Sequence, residues 1–342
     1  MPPLSPFHSP ARPEPPVPPE RERGAALLTV LLLVAIIAVL AGAALERMRL
    51  TTRLAGNALA GEQARGFARA AEALATSRIT TMLGDAPDRV TLAGGWSGRP
   101  FGLPLPGGGL AVARVSDGGN CFNLNALVSK IGPNLYTSSQ SFAQRLQFVR
   151  LMQAVGIPAQ VADHVAAATA DWIDSDGDQQ GNGAEDPVYL ARATPYRTGG
   201  TLMADPSELR AVDGVTPDLY AKLRPWLCTL PKAEATTINI NTLLPEQAPL
   251  VAMLFPGTLS VEAARGMILR RPPQGFRDAS TFLNLAGNGV GGEGGGGLGV
   301  KTTWFALAIN VSNGSAQLQE RALIDASRLP ARLVARQWGD ES

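Results

Sequence analysis

Five carboxylates crowd into thirteen residues of this 342-residue chain: Asp174, Asp176 and Asp178 alternate, and Glu185 and Asp186 follow once Gly181 and Gly183 have loosened the backbone. Hard divalent cations are the chemistry that fits this pattern. Calcium takes about six to eight oxygens at roughly 2.3–2.6 Å from a flexible loop, and D-x-D-x-D spacing turns successive side chains to one side of a tight turn. Magnesium, with its rigid octahedron and retained waters, fits such a cage poorly. With Asp174 in the first position, Glu185 is twelfth, as in an EF-hand, but Gln179 stands where an EF-hand has glycine. The expectation is therefore an EF-like loop holding a structural calcium ion through Asp174, Asp176, Asp178, Glu185 and Asp186, with Asp171 joining from a helix end. The plain alternative is a solvated acidic loop, in which carboxylates this close repel one another unless a cation intervenes. No nucleophile, oxyanion hole or substrate cleft is readable nearby, so the chain is not expected to be an enzyme.

The other residues with chemical potential are few. His8 lies in a proline-rich tail and His164 in an amphipathic helical pattern, with no metal-ligand spacing between them. Cys121 and Cys228 are the only cysteines. Both lie beyond the apolar N-terminal run, on the side argued below to be exported, where an oxidising compartment favours a disulfide over two buried thiols. A formal net charge of +1 supplies no long-range field to steer the chain to nucleic acid or anionic lipid.

The elements that must carry these residues begin with a proline-crowded tail, residues 1–24, that cannot pack a core. Residues 25–45 then run without a charge, and at about 1.5 Å per residue they span roughly 30 Å of hydrocarbon. A cleaved secretory signal ending at Ala41-Gly42-Ala43 is the rival reading. Against it, a helical pattern continues through Met48, Ala55, Leu59, Phe67, Ala71, Leu74 and Ala75 without a breaker cluster. Gly42, Gly56, Gly61 and Gly66 weaken that helix or allow close packing. Arg21 and Arg23 precede the span while Arg47, Arg49 and Arg53 follow it, so the positive-inside count does not set the direction; the cysteines and acidic loop favour an exported C-terminal body.

Strand-like runs are expected around residues 89–92 and 109–115, then helices over 126–230 with Phe142, Leu146, Val149 and Met152 on one face and Val161, Val165 and Ala168 on another. A second helical stretch covers 250–285 and a glycine-rich loop 288–299. Strands at 304–311, 316–324 and 331–337 close the chain. Those three lack room for crossovers, so they pair as an antiparallel meander, and the helices become an insertion in a sheet. A weak repeat lies inside the insertion: Asn123-Leu124-Asn125-Ala126-Leu127 recurs as Asn239-Ile240-Asn241-Thr242-Leu243, each copy leading to a helix, a turn at Gly156 or Gly257, and another helix. Capping is the expected role of Asn125 and Asn241. The second copy, through Pro272-Pro273-Gln274-Gly275-Phe276, resembles helix-hairpin-helix modules of DNA-binding proteins, and Arg265, Arg270 and Arg271 keep a membrane-anchored DNA-uptake role as the alternative.

Assembled in this order, the chain resembles the K-type minor pseudopilins of bacterial type II secretion systems. Four segments carry the likeness: Arg23-Gly24 before the apolar run, Phe122-Asn123-Leu124-Asn125, Asp171-Trp172-Ile173-Asp174-Ser175-Asp176 with Gly183-Ala184-Glu185-Asp186, and Ile238-Asn239-Ile240-Asn241-Thr242. The resemblance implies an α+β pilin-like fold, a long N-terminal transmembrane helix and antiparallel sheet carrying a large α-helical insertion with helix-hairpin-helix or SAM-like modules. Its parts would be a leader (1–24), transmembrane and pilin helix (25–82), first part of the sheet (83–125), helical insertion with the calcium loop (126–235), second module and glycine-rich loop (236–300), and closing strands (301–342). It implies cleavage after Gly24 by a prepilin peptidase and methylation of Ala25. Most pilins carry Glu at mature position five; Thr29 stands there, a mark of the K type. Such subunits sit in the inner membrane with a periplasmic body, bind calcium in the insertion, and start assembly at the pseudopilus tip with I- and J-type minor pseudopilins. Without the position-five carboxylate there is no costly intramembrane charge for a leading subunit to neutralise, and an insertion as bulky as 126–300 would clash with anything stacked above it. No nucleic-acid partner is expected.

Overall fold

The structure, a computed structural model, describes residues 20–106, 109–287 and 296–339. Most of the proline-rich leader (1–19) and of the glycine-rich loop (288–295) lie outside the described residues. The chain divides into two units, Met1–Ala60 and Gly61–Ser342.

Helix α1 (Glu20–Asp85) contributes to both. In the first unit every side chain from 24 to 59 is exposed, including Leu31, Leu32, Leu33, Ile36 and Ile37. An 18-residue window there reaches a mean hydropathy of 2.9, so this is one helix long and apolar enough to cross a membrane.

In the second unit the rest of α1 presents Ala64, Ala68, Ala71, Ala75 and Ile79, all buried, at three- and four-residue spacing. The chain then forms β1 (Pro100–Pro104) and β2 (Leu110–Asp117). Next come β3 (Phe122–Asn123), the hairpin β4 (Ser129–Gly132) and β5 (Leu135–Thr137), and helices α2 (Phe142–Ala154), α3 (Ala159–Ile173), α4 (Asp186–Leu190) and α5 (Pro217–Leu223). After them follow β6 (Leu227–Cys228), β7 (Ile238–Asn239), α6 (Ala248–Ala252), α7 (Val261–Leu269), α8 (Ala279–Leu283) and β8 (Leu298–Gly299). Strands β9 (Trp304–Asn313), β10 (Ala316–Asp325) and β11 (Arg332–Trp338) complete the unit.

The main sheet has the order β1-β2-β9-β10-β11 and every pairing is antiparallel. The helical segments are therefore inserted between neighbouring strands β2 and β9. Alternation selects the faces: Ala111, Ala113 and Val115 of β2 and Phe305, Leu307, Ile309 and Val311 of β9 meet the alanine stripe of α1 in one core. Small α1 side chains let the helix lie close to that sheet face. A charged knot sits in the same core. Arg336 on β11 donates to the Glu72 carboxylate, with its second bond at 2.6 Å, and Glu320 lies 3.6 Å from the guanidinium. Burial and the neighbouring Glu72 push Glu320 up to about 8; Glu72, although partly desolvated, is held below its usual value by Arg336.

Residues 89–92 form no strand. Val90 instead donates to the Val300 carbonyl at 2.8 Å, and the first strand is Pro100–Pro104, whose two prolines and glycine hide its alternation. Within 126–230 the β4–β5 hairpin precedes the helices. The buried face of α2 is Phe148, Val149, Leu151 and Met152, whereas Phe142 is 64% exposed and Val161 on α3 is 37% exposed.

The repeat is visible as two modules with the same closure. β3 pairs in parallel with β6 (Asn123↔Cys228), and β7 pairs in parallel with β8 (Asn239↔Gly299). The helix–helix turns use Gly156 (φ 84°) and Gly257 (φ 71°), left-handed positions that suit glycine. A Cys121–Cys228 disulfide, Cα–Cα 5.8 Å, closes the first module. At the matching place in the second, a Cβ on Gly299 would fall 2.7 Å from Thr237 Cγ2, so the strands approach too closely for a side chain. The expected capping by Asn125 and Asn241 is corrected: Asn123 and Asn239 accept from the N–H two residues on. Asn125 pairs with both the N–H (2.8 Å) and C=O (3.0 Å) of Met203, and Asn241 does the same to Phe276 (2.6 and 3.0 Å). Each second asparagine thus pins a distant backbone segment. Asp117, at the end of β2, joins sheet to second module by accepting from Thr242 and from Thr302 (2.8 Å), and burial raises its pKa.

Candidate metal centre

Helix α3 delivers the acidic loop. Asp171 in its last turn is fully buried, and Asp174 ends the helix in extended conformation (φ −69°, ψ 166°) with its N–H on the Ala170 carbonyl. The loop returns at Glu185, which precedes α4 in extended conformation. Carboxylate oxygens of Asp174, Asp176 and Glu185 lie within 4.8 Å of one another, with Asp174 and Glu185 buried and Asp176 exposed. Both oxygens of Asp174 and Oε1 of Glu185 are shut from solvent with no donor in good hydrogen-bond geometry, Ser138 being the group beside Asp174 that favours its charged form. Buried anionic oxygens without a donor are costly. Burial first, and the crowding of neighbouring carboxylates second, push Asp174 and Glu185 up to about 7; Asp171 reaches about 7 by burial despite accepting from Gln180 N–H. Such a cluster of buried carboxylates could hold a hard cation.

The remaining proposed ligands are placed differently. Asp178 is exposed, and its N–H donates to Asp176 Oδ1 at 3.0 Å, so it shapes the turn. Asp186 accepts from the Thr198 N–H (3.0 Å) and hydroxyl (3.1 Å) and pairs with Arg197, contacts that hold its pKa below the usual range. The structure thus gathers Asp174, Asp176 and Glu185, with Asp171 against the same loop.

The surroundings hold the loop in shape. A Cβ on Gly183 would sit 2.0 Å from Asp171 Oδ2, so glycine there lets the backbone close over the carboxylate. Gln179, in the sixth position, donates to the Gly183 carbonyl at 2.7 Å. His164 bridges the Asn182 carbonyl (Nδ1, 2.8 Å) and Asp213 Oδ2 (Nε2, 2.9 Å), tying the loop to the segment before α5. Ser175 accepts from Tyr136 N–H of β5 at 3.1 Å and donates to the Gly200 carbonyl at 3.1 Å. The ties made by His164 and Ser175 have no sequence signal beyond the helical placement of His164, because they join segments far apart in the chain.

Two of the three arginines named for the DNA alternative, Arg270 and Arg271, serve internal bonds, while Arg265 is exposed. Arg271 donates to the carbonyls of Ile240 (3.3 Å) and Leu243 (2.7 Å), and Arg270 to those of Gly266 and Leu285 (both 3.3 Å). Guanidiniums engaged in this way are poorly placed to neutralise phosphates, which weighs against the DNA alternative.

Comparison with known proteins agrees. Residues 120–232 and 238–301 each match a family described as "Type II secretion system (T2SS), protein K". The chain is 32% identical over 321 residues to the type II secretion system protein K of Pectobacterium carotovorum subsp. carotovorum, covering 93% of this chain and 97% of that one. It is 34% identical over 323 residues to the protein of the same name from Klebsiella pneumoniae, with the same coverage of each. Among solved structures, it matches a chain in the GspK-GspI-GspJ complex of the enterotoxigenic Escherichia coli type 2 secretion system. The TM-score is 0.70 at 30% identity, over 82% of this chain and 97% of that chain.

Proposed function

This chain belongs to the type II secretion system protein K family, and on that premise we propose that it is a minor pseudopilin that caps the pseudopilus tip. There it joins the I- and J-type minor pseudopilins and starts assembly. The observation that carries this reading is the likeness, over 82% of its length, to a chain from a three-protein complex of K, I and J type. Two features of the chain support it. The hydroxyl of Thr29 donates to the Ala26 carbonyl at 2.8 Å, so the polar group at mature position five is satisfied within its own helix and asks nothing of a subunit ahead. The insertion of two modules between β2 and β9 adds bulk that suits an end position.

Prepilin peptidase cuts after Gly24 and methylates Ala25, leaving the apolar part of α1 in the inner membrane and the body in the periplasm, where the disulfide is stable. The left-handed turns at Gly156 and Gly257 support reading both modules as helix-hairpin-helix units. They serve packing and assembly, and the role is structural, not catalytic.

The orphaned oxygens of Asp174 and Glu185 fit a hard cation of calcium's kind, held by Asp174, Asp176 and Glu185 with Asp171 beside them. Bound there, the ion would cancel the repulsion and fix the end of α3 to the start of α4.

Intact-mass and N-terminal analysis of membrane-extracted chain, from cells with and without the peptidase, tests the assignment. Peptidase-dependent cleavage after Gly24 is expected, together with co-purification of I- and J-type subunits. An uncut chain, or one beginning at Ala44, refutes it.

A further inference from the structure

Away from the acidic loop, α1 and the first strand enclose a cavity of about 410 Å³, within the roughly 300–1,000 Å³ of typical ligand clefts. Its walls are Ala75, Ile79 and Met82 of α1, with Trp96, Phe101 and Val115 opposite. Trp96 and Phe101 are only half-buried, so aromatic surface faces the opening. The pocket is preformed. The Trp96 indole N–H is fixed on the Thr91 carbonyl at 2.7 Å and its ring stands edge-on to Phe305 at 5.4 Å, while Gly94, Gly95 and Gly98, at φ 77°, 62° and 69°, make the turns that present it.

Two guanidiniums also line this pocket, Arg78 from α1 and Arg99 from the turn before β1. Both are exposed, and neither has a carboxylate partner among the described residues. Arg78 stacks over Phe101 at 5.0 Å, which holds one cation beside the apolar wall. Rigid aromatics and arginines around an apolar pocket are the composition of interface hot spots. The edge of β1 does not itself invite another strand. Pro100 and Pro104 remove N–H donors at both ends of the strand, so an occupant enters through side chains.

We propose that this pocket is a docking socket for a neighbouring pilin-like subunit, receiving a segment in which a large apolar side chain stands beside an Asp or Glu. The apolar group fills the cavity and the carboxylate bridges Arg78 and Arg99. The socket rests on the assembly role proposed above and gives it a specific surface; charge complementarity selects the occupant, because two unpaired cations at an apolar mouth call for an acidic–apolar partner.

The test uses the full chain in detergent with the I- and J-type subunits of its own system, comparing wild type, the pair Arg78→Glu/Arg99→Glu and the pair Arg78→Lys/Arg99→Lys. Charge reversal is expected to weaken association about tenfold or more, equivalent to roughly 1.4 kcal/mol. The lysine pair should retain most of the affinity, and added salt should weaken wild type more than the reversed pair. Thermal unfolding should be the same for all three. Undiminished association by the reversed pair overturns the socket while leaving the assembly role standing. Failure of wild type to bind either subunit removes both. If charge reversal affects only self-association of this chain, the occupant is a second copy and the proposal is wrong.

Discussion

Removing divalent cations should destabilise the second unit through Asp174, Asp176 and Glu185. A ligand that binds only the folded state adds RT ln(1 + [L]/Kd), about 2.7 kcal/mol when calcium stands at roughly one hundred times its Kd. For a unit of this size each kcal/mol moves the melting midpoint by about 2–4 °C, so chelation should lower it by roughly 5–10 °C. Asp174→Asn separates a cation site from an acidic loop. In the cation-free protein Asp174 is a buried carboxyl with two unpartnered oxygens and a pKa near the top of its range, about 7. The amide removes that charge, so without calcium the variant should melt at least as high as wild type, and calcium should add nothing to it. The pH dependence has a definite sign. Acids whose folded pKa is raised bind protons in the folded state that the unfolded state has lost, so the cation-free protein should lose stability from about pH 4 to pH 7, and calcium should flatten that slope. Calorimetry with calcium and with chelator measures all of this. Equal melting of wild type in both conditions, or an Asp174→Asn variant that still gains from calcium, would show that these carboxylates hold no cation.

Other outcomes follow from the pilin core and the modules. Glu320, pushed up to about 8, should cost stability as pH rises from about 4.5 to 8; Glu320→Gln should abolish the alkaline part of that loss, read as urea midpoints near pH 6 and pH 9 in calcium. The Cys121–Cys228 bond spans a sequence separation of 107, and Cys121→Ser should cost about 2–5 kcal/mol in urea unfolding. Asn241→Ala, which strips both partners from the Phe276 backbone, should cost about 1–3 kcal/mol, and Asn125→Ala a similar amount at Met203. Losses below about 0.5 kcal/mol in either variant would show that these side chains merely decorate the fold.

The sequence made the outer frame legible and the joints obscure. An uncharged apolar run announces α1, and alternation in residues 304–311, 316–324 and 331–337 announces β9, β10 and β11 within two residues of their ends. β1 escaped because Pro-Phe-Gly-Leu-Pro carries turn residues in a strand, and β4–β5 because a four- and a three-residue strand are too short for a period to register. The paired Asn motifs were visible as a repeat, yet the work of Asn125 and Asn241 depends on Met203 and Phe276, tens of residues away. The acidic loop shows the same division. Its D-x-D spacing marked the place, but which carboxylates turn inward is decided by Thr198 and Arg197 engaging Asp186 and by Gly183 making way for Asp171.

The parallel strand pairs that close the two modules also bear on the order in which the chain can fold. Asp117 and Phe305, partners in β2 and β9, are about 190 residues apart in sequence, so pairing them from an unfolded chain requires closing a very long loop. Once β3 meets β6 and β7 meets β8, each module returns the chain beside its own starting point, and the flexible connection shrinks to fewer than about twenty residues. The closure entropy then falls by roughly 2 kcal/mol. Folding of the modules should therefore precede the zipping of β2 to β9, making the main sheet the last part of the protein to form although its first strands are synthesised early.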